Sequence, residues 1–367
     1  MLTYMPETQE EKLLSVSNAA KLLGVSKSTV YRMEEQGILT PFKTPGGQRR
    51  FKVSDLQSYL QNSTKIKANE PESKTIKSRT DTEPTVDPRN KLNALTGREW
   101  MPLTKSYQYQ KGLGASHAHA QIERQHPAPF SFQDIQQLIE FFTKPEMTVL
   151  DPFGGVGSTA KACAISGRRA ISIELQQQWH DLAIERLETE VGAGTANEHQ
   201  LINGDSRIEL GKLEAETVDF VVTSPPYWSI LNKKADHKVK SARVSQKLAT
   251  KYAEDDPLDA ANIVEYSEFL DRLVGEFMVP AARLLKEKKY LCMVVSDFRN
   301  KSEYVSFHSD LIQKLNNREV DDEYKLTLQG TKVLIQNHKS LLPYGYPFAY
   351  VENIHHQYIL IFRKVKK

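Results

Sequence analysis

The chain has little cysteine, little net charge and no long apolar run. Its two cysteines, Cys163 and Cys292, are too few and too far apart for a disulfide framework or a zinc knuckle. The formal net charge is only +3, so attraction to nucleic acid must come from local clusters. No stretch approaches the roughly 18 apolar residues of a membrane helix, and no signal peptide is evident. We therefore expect a soluble cytoplasmic protein without a membrane segment or a metal.

One long segment lacks aromatic side chains altogether. Residues 61–95 are rich in Lys, Glu, Ser, Thr and Pro, and such a composition does not bury enough surface to offset chain entropy. A chain of 367 residues is long enough for two domains, at roughly 100–200 residues each. The sequence thus predicts an N-terminal domain over 1–60, a disordered linker over 61–95 and a large domain over 96–367.

The N-terminal segment shows two short helical patterns followed by a hairpin pattern. The second predicted helix runs from Lys27 to Gln36, with Val30 and Met33 facing inward. A Pro-Gly-Gly turn at 45–47 separates two alternating stretches, which indicates a β-hairpin. Residues 54–60 form a closing helix in this scheme. The order of elements predicts a winged helix-turn-helix.

This order, and the Gly-Gly-Gln-Arg-Arg-Phe stretch at 46–51, resemble the MerR/excisionase-type helix-turn-helix family. The resemblance covers residues 13–60. It implies double-stranded DNA as a partner, with one set of residues facing the major groove and another reaching phosphates or the minor groove. The first set is Lys27, Ser28, Tyr31 and Arg32, and the second is Arg49 and Arg50. A module that docks on protein is the alternative.

Farther along, an apolar strand over 147–151 leads into a glycine-rich turn and then a helix-forming stretch. This arrangement lets backbone approach a nucleotide-like ligand at a helix N-terminus. The next strand ends about 20 residues on at Glu174, where a carboxylate can hold two ribose hydroxyls. A third strand ends at Asp205.

A fourth apolar strand, 218–222, runs into Thr223-Ser224-Pro225-Pro226-Tyr227-Trp228. Two consecutive prolines cannot continue a ladder, so the strand ends in a rigid loop. That loop offers a hydroxyl, a proline carbonyl and an aromatic face. These groups suit a flat ring that carries an exocyclic amine.

Together, Asp-Pro-Phe-Gly-Gly-Val-Gly-Ser-Thr at 151–159 and Ser-Pro-Pro-Tyr-Trp at 224–228 resemble the amino-group DNA methyltransferases. The resemblance covers about residues 97–367. It implies a Rossmann-like α/β fold of the class I type with a mixed seven-stranded sheet, and S-adenosyl-L-methionine as cofactor. The cofactor-binding residues that it implies are Pro129, Phe130, Asp151, Phe153, Gly155, Gly157, Glu174 and Asp205.

For catalysis, the resemblance implies Ser224, Pro225, Pro226 and Tyr227. The target base leaves the stack, lies on Tyr227 and donates its amino hydrogens to the Ser224 hydroxyl and the Pro225 carbonyl. Carbon-5 methylation needs a cysteine nucleophile, which this loop lacks. Serine in the first position resembles the cytosine-N4 branch, and adenine-N6 is the alternative.

The stretch 229–261 is rich in lysine, including Lys233, Lys234 and Lys238, and is a candidate DNA-tracking loop. The chain is thus expected to be a site-specific, nucleoid-associated modification enzyme, monomeric or homodimeric. It would act beside a cognate restriction endonuclease or as an orphan. Two alternatives stay open: a DNA-binding regulator whose methyltransferase-like domain senses the cofactor, and a methyltransferase acting on RNA or protein.

Overall fold

The computed structural model describes residues 13–23, 27–35, 38–44, 48–66, 85–110, 113, 117–128, 130–228, 258–300, 303–337 and 339–367. The chain divides into two compact units, Met1–Asp81 and Thr82–Lys367. Each unit has its own buried apolar cluster.

The first unit packs short helices on a small antiparallel sheet of order β1-β3-β2. Its elements are β1 (Leu13–Ser15), α1 (Val16–Leu23), α2 (Lys27–Glu35), β2 (Phe42–Lys43), β3 (Arg49–Lys52) and α3 (Val53–Ile66). Val30 and Met33 are buried as predicted, and they pack with Phe51 and Leu56. The assignment of this unit as a winged helix-turn-helix stays a prediction.

The structure differs from the predicted linker, 61–95, at both of its ends. Helix α3 continues through Ile66. On the other side, the Asn93 amide is fully buried and donates to the Phe141 carbonyl at 2.6 Å, and the Asn90 side chain accepts from the backbone N–H of Leu92 at 3.0 Å. These asparagines order the backbone through hydrogen bonds, which a composition argument based on apolar burial does not detect.

The second unit alternates helices with strands. Its helices are α4 (Gly97–Leu103), α5 (Phe132–Phe142), α6 (Ser158–Ile165), α7 (Gln177–Glu190), α8 (Ser206–Lys212), α9 (Tyr266–Arg272), α10 (Val279–Leu284) and α11 (Phe307–Leu315). Its strands are β4 (Tyr107–Tyr109), β5 (Thr148–Asp151), β6 (Arg169–Glu174), β7 (Gln200–Asn203), β8 (Val218–Thr223), β9 (Leu285–Val295), β10 (Phe298–Asn300), β11 (Glu303–Val305), β12 (Tyr324–Ile335) and β13 (His356–Lys366). A π-helix, Leu273–Met278, joins α9 to α10.

The main sheet has the order β4-β12-β13-β9-β8-β5-β6-β7. Neighbours from β9 to β7 pair in parallel, whereas β13 is antiparallel to both β9 and β12. Strand β8 is buried at every position, as expected for a central strand covered on both faces. The predicted Rossmann-like mixed sheet is confirmed.

In the described residues this sheet has eight strands, where the sequence predicted seven. The additional strand, β4, pairs in parallel with β12 at the sheet edge. Its residues, Tyr107–Tyr109, lie in a polar stretch, and two of the three are exposed. Tyr107 and Tyr109 do alternate with Gln108, but three residues are fewer than the roughly four to eight from which a strand is predicted.

Apolar clusters cover the two faces of the sheet. On one face, α5 and α6 pack on Val149, Phe220 and Cys292. On the other, α9 to α11 pack on Leu150, Val221 and Leu291. Because β5 and β8 lie in the middle of the sheet, the loops that follow them are fixed by both clusters.

Candidate active site at the carboxyl edge of the sheet

A cleft lies where the carboxyl ends of β5, β6, β7 and β8 meet, which is the usual ligand site of an open α/β sheet. It holds about 840 Å³ of empty space, counting the part open to solvent. Its carboxylates are Glu174, Asp205 and Asp259. Its apolar wall includes Phe130, Phe153, Val156, Trp179 and Phe277, and the Ser-Pro-Pro-Tyr loop reaches it through Ser224 and Pro226.

Glu174, at the end of β6, is held by backbone amides. One carboxylate oxygen accepts from the Gly155 N–H and the other from the Gln176 N–H, both at 2.8 Å. Burial raises the pKa of the carboxyl to about 7, although both hydrogen bonds act in the opposite direction. Each oxygen keeps a further lone pair for a ligand hydroxyl. The structure therefore places this predicted residue where it can hold a ribose.

Asp205 caps the N-terminus of α8 and pairs with Arg207. Its oxygens accept from the guanidinium Nε at 2.9 and 3.0 Å and from a terminal nitrogen at 2.5 Å. Burial raises the pKa of Asp205, but the Arg207 hydrogen bonds outweigh it and the net shift is downward. Glu276, on the π-helix, lies 3.7 Å from the same guanidinium. Asp205 is thus ionised and fixed at the cleft wall.

The glycine-rich turn is shaped by packing as much as by access to a ligand. Gly155 has φ +49° and lines the cleft. Gly157 has φ +74°, and a Cβ there would lie 2.9 Å from the Ala183 Cβ on α7. Gly157 therefore lies against α7, where its lack of a side chain lets the turn pack, and it is not among the residues that line the cleft. Its predicted contact with the ligand stays a prediction.

Asp151, at the end of β5, holds the turn through its own hydrogen bonds, and its predicted contact with the ligand stays a prediction. Its carboxylate is fully buried and accepts from the Phe153 N–H at 3.0 Å, the Thr223 hydroxyl at 2.6 Å and the Thr159 hydroxyl at 2.5 Å. It does not line the cleft, unlike Phe153 beside it. Burial raises its pKa, opposed by the two hydroxyls and the amide. Asp151 thus ties the glycine-rich turn to the end of β8 and acts on the site through them.

The predicted upstream loop reaches the cleft in part. Phe130 lines it, whereas Pro129 lies outside the described residues. His126 also lines the cleft, and its ring meets the Trp179 ring edge to face at a centroid distance of 5.0 Å. This loop therefore contributes aromatic rings to the wall of the cleft.

In the catalytic loop, the structure separates two pairs of predicted residues. Ser224 and Pro226 line the cleft, whereas Pro225 and Tyr227 do not. The Tyr227 hydroxyl accepts from the Gln357 amide on β13 at 3.3 Å, and its ring lies 6.2 Å from that of Phe307. Burial raises the pKa of the Tyr227 hydroxyl. Neither cysteine can act here, since both thiols are buried and burial raises their pKa.

Sequence reasoning missed several cleft residues. Asp259 caps a short helix by accepting from the Ala261 N–H at 2.8 Å, Trp179 lies in the first turn of α7, and Phe277 lies on the π-helix. Trp179 had a signal, because it follows Glu174 by one connection and so belongs to the carboxyl edge. Asp259 and Phe277 come from a distant part of the chain and had none.

The predicted DNA-binding residues are only partly described. Lys233, Lys234 and Lys238 lie outside the described residues, and so do the side chains of Lys27, Ser28 and Arg32 on α2. In the first unit, Tyr31 is 41% exposed. Arg49 pairs with Glu34 at 2.7 Å and lies over the Tyr31 ring, and Arg50 donates to Gln48 at 3.3 Å.

Two absences hold for the same described part of the chain. There, no three His, Cys, Asp or Glu side chains gather as a metal site would require. None of the helices found there combines the length and the apolarity that a bilayer crossing demands.

Known proteins share segments with this chain. A family model for N6 and N4 amino-methylases, described as DNA methylase, matches residues 8–185, just under half of the chain. Identity is 50% over 64 residues with a protein of Escherichia coli K12 assigned as methylase YubD, covering 17% of this chain and 28% of that protein. Identity is 30% over 87 residues with the type II methyltransferase M.ScaI of Streptomyces caespitosus, a match that covers 24% of this chain and 29% of that protein. The matched segments thus span under a third of these relatives.

Among solved structures, a phosphoethanolamine N-methyltransferase of Haemonchus contortus aligns over 61% of this chain and 40% of its own, at 17% identity and a TM-score of 0.35. A TM-score of 0.35 is too low to indicate a shared function. The sequence similarities, by contrast, are to a DNA methylase family, to a methylase and to a type II methyltransferase.

Proposed function

We propose that the chain transfers a methyl group from S-adenosyl-L-methionine to the exocyclic amino group of a base in double-stranded DNA, at specific sites. The observation that carries this proposal is a single cleft shared by Glu174, Asp205 and Ser224. The two carboxylates suit a nucleoside cofactor, and the serine belongs to a loop suited to an amine.

The cleft fits the cofactor by its chemistry. Glu174 keeps acceptor capacity for ribose hydroxyls. Asp205 is held ionised by Arg207 and can accept from an adenine amino group. Phe153, Trp179 and Phe277 supply aromatic surface for the flat ring and the sulfonium group.

When bound, the cofactor supplies an electrophilic methyl group on sulfur. The chain's part is to orient the acceptor: the Ser224 hydroxyl and the Pro225 carbonyl accept the two amino hydrogens, so that the nitrogen lone pair turns toward the methyl. No enzyme nucleophile is needed, and positioning supplies most of the effect. The Thr223–Asp151 hydrogen bond anchors this loop on the glycine-rich turn.

Cytosine N4 is the proposed target, and Ser224 is the residue that supports it through resemblance to that branch. Adenine N6 is the alternative. Sequencing that detects modified bases, applied to DNA from cells expressing the protein, tells them apart and gives the recognition site.

Transfer of labelled methyl to duplex DNA tests the proposal directly. We expect Ser224→Ala to lower the rate with little change in cofactor affinity, and Glu174→Ala to weaken cofactor binding. Thr217→Ala, which removes an exposed hydroxyl outside the cleft, is the matched control and should change neither. Tight cofactor binding without any transfer to DNA would favour a cofactor-sensing regulator, and transfer to RNA or protein alone would also contradict the proposal.

We further propose that the first unit binds duplex DNA and guides the catalytic unit. Lys27, Ser28, Tyr31 and Arg32 would lie in the major groove, and Arg49 and Arg50 would reach phosphates or the minor groove. Lys233, Lys234 and Lys238 would track phosphates. The exposed ring of Tyr31 beside Arg49 supports a contact surface on this face of α2.

A further inference from the structure

The connection between β12 and β13 exposes three aromatic rings. Tyr346 is 80% exposed, Phe348 93% and Tyr350 86%. Large apolar side chains that cluster on a surface mark interaction sites far more often than chance placement. We call residues 344–350 the aromatic loop.

The backbone holds this loop in one shape. The N–H groups of Phe348 and Ala349 both donate to the Gly345 carbonyl at 2.7 Å. Gly345 has φ +72°, and a Cβ there would lie 2.3 Å from the Ala349 carbonyl oxygen. The base of the loop is closed by the Asn353 side chain, which exchanges two 2.9 Å hydrogen bonds with the Leu342 backbone. The rings are thus held outward by a preformed loop, so little ordering entropy remains to oppose binding.

The aromatic loop leaves the sheet at the edge that carries Ser224. Strand β8 ends at Thr223, which pairs with Met293 near the end of β9. Val295, the last residue of β9, pairs with Tyr358 near the start of β13. The start of β13, which follows the aromatic loop, contacts the Ser-Pro-Pro-Tyr loop, since the Gln357 amide donates to the Tyr227 hydroxyl at 3.3 Å.

The surface of the loop suits nucleobases. Its residues line an open depression whose walls are Tyr344, Tyr346, Phe348 and Tyr350. Among the described residues no ring pair includes any of the three exposed rings, so their faces are open to a planar partner. The segment 340–351 contains no acidic residue, so no carboxylate within it repels phosphate groups.

We propose that the aromatic loop binds DNA beside the methylation site by stacking its rings on bases. The inference rests on the proposed function and deepens it. Methylation of an amino group requires a base to leave the stack, which leaves neighbouring bases with exposed faces. Aromatic side chains bind such faces with little regard to sequence.

The test uses the full chain and three variants of Tyr346, Phe348 and Tyr350 together: all to Ala, all to Leu, and an aromatic exchange of Tyr346→Phe, Phe348→Tyr and Tyr350→Phe. The probes are a single-stranded DNA oligonucleotide of mixed sequence and a duplex with a central mismatch. We expect the Ala and Leu variants to bind both at least about tenfold more weakly, and the exchange variant within about twofold of the parent. The dependence of affinity on salt should keep its slope, because phosphate contacts are untouched.

Three outcomes overturn the proposal. Unchanged DNA affinity in the Ala variant shows that the aromatic loop does not contribute to DNA binding. Parental affinity in the Leu variant shows that apolarity, and not ring stacking, matters. Loss of self-association in the Ala variant with unchanged DNA affinity assigns the surface to a second copy of the chain. Binding of S-adenosyl-L-homocysteine and the melting temperature, measured on each variant, confirm that the fold is kept.

Methyl transfer by the parent chain separates this inference from the proposed function. If the parent methylates DNA and the Ala variant does so equally well with equal affinity, only the role of the aromatic loop is wrong. If the parent transfers no methyl to any DNA, the proposed function fails and the loop inference fails with it.

Discussion

The proposed role of Glu174 depends on the protonation state of its carboxyl group. A carboxylate that accepts from ribose hydroxyls must be ionised, yet burial raises the pKa of this one to about 7. Ligand binding to the ionised form therefore has to displace a proton at any pH below 7. The cost is linked to pH through the difference in proton uptake between the free and the bound states.

We expect the affinity for S-adenosyl-L-homocysteine to be constant above about pH 8 and to fall about tenfold per unit as pH drops below 7. Calorimetric titration across this range measures it. The control, Glu174→Gln, cannot ionise, so its weaker affinity should lack this dependence. A flat profile for the parent chain would show that the bound state does not need the carboxylate form.

Gly157 illustrates a residue whose role is steric. Its φ of +74° and the 2.9 Å approach of a Cβ to the Ala183 Cβ are separate obstacles to a side chain. Gly167 shares the first obstacle, with φ +69°, but has no heavy atom within 4 Å of the Cβ position. The two glycines therefore separate conformational strain from overlap.

We predict that Gly167→Ala lowers the free energy of unfolding by about 1–2 kcal/mol, the cost of a left-handed conformation. Gly157→Ala should cost about 2–5 kcal/mol, because overpacking against α7 adds to that strain. Chemical denaturation of both variants gives the comparison. Equal losses would mean that α7 yields and that packing at Ala183 is loose.

At the scale of elements, α7 fastens the glycine-rich turn through a buried arginine. Arg186 is fully buried, and its guanidinium donates to the Val156 carbonyl at 3.2 Å and the Ser158 hydroxyl at 3.0 Å. It also pairs with Glu123 at 2.5 Å and Glu190 at 3.2 Å. Glu123 precedes the loop of His126 and Phe130, so one side chain ties α7, α6 and two walls of the cleft together.

Arg186→Met should lower the free energy of unfolding by about 3–5 kcal/mol, because it leaves the largely buried Glu123 carboxylate without its cation and Glu190 with Lys161 alone. It should also weaken cofactor binding, since both loops lose a shared anchor. The matched control is Arg169→Met, which breaks an ion pair that is largely exposed, at 3.4 Å from Glu146, and should change neither quantity measurably. Loss of stability with unchanged cofactor affinity would limit the network to folding.

The parts of this fold that could be predicted are those with a periodic apolar signal. Strands β5, β6 and β8 are buried runs, and the acids after them fell at one sheet edge because parallel strands align their carboxyl ends. Edge strand β4 and the ordered asparagines before α4 could not be predicted from such a signal, because hydrogen bonds of the backbone and of side-chain amides hold them in place. The supporting contacts of Asp151 and Gly157 could not be predicted for a related reason: proximity to a ligand and support of the loop require the same residue types.

At the scale of the whole molecule, the two units, Met1–Asp81 and Thr82–Lys367, have separate cores. The cleft is built entirely from the second unit. The chemistry should therefore survive without the first unit, whereas the proposed guidance on DNA should not.

We predict that residues 82–367 expressed alone bind S-adenosyl-L-homocysteine like the full chain but bind duplex DNA more weakly, with a shallower dependence of affinity on salt. In the full chain, Arg49→Ala with Arg50→Ala should weaken DNA binding as well and reduce the salt slope by about 2, since these are the residues proposed to reach phosphates and each lost phosphate contact contributes about 0.9. The control, Arg169→Ala with Lys288→Ala, removes the same charge from exposed positions of the second unit and should keep the parental slope. If both double variants shift the slope equally, DNA responds to overall charge and the first unit has no specific contact. If the truncated chain loses cofactor binding while folded, the cleft depends on the first unit, and the separation of guidance from chemistry is wrong.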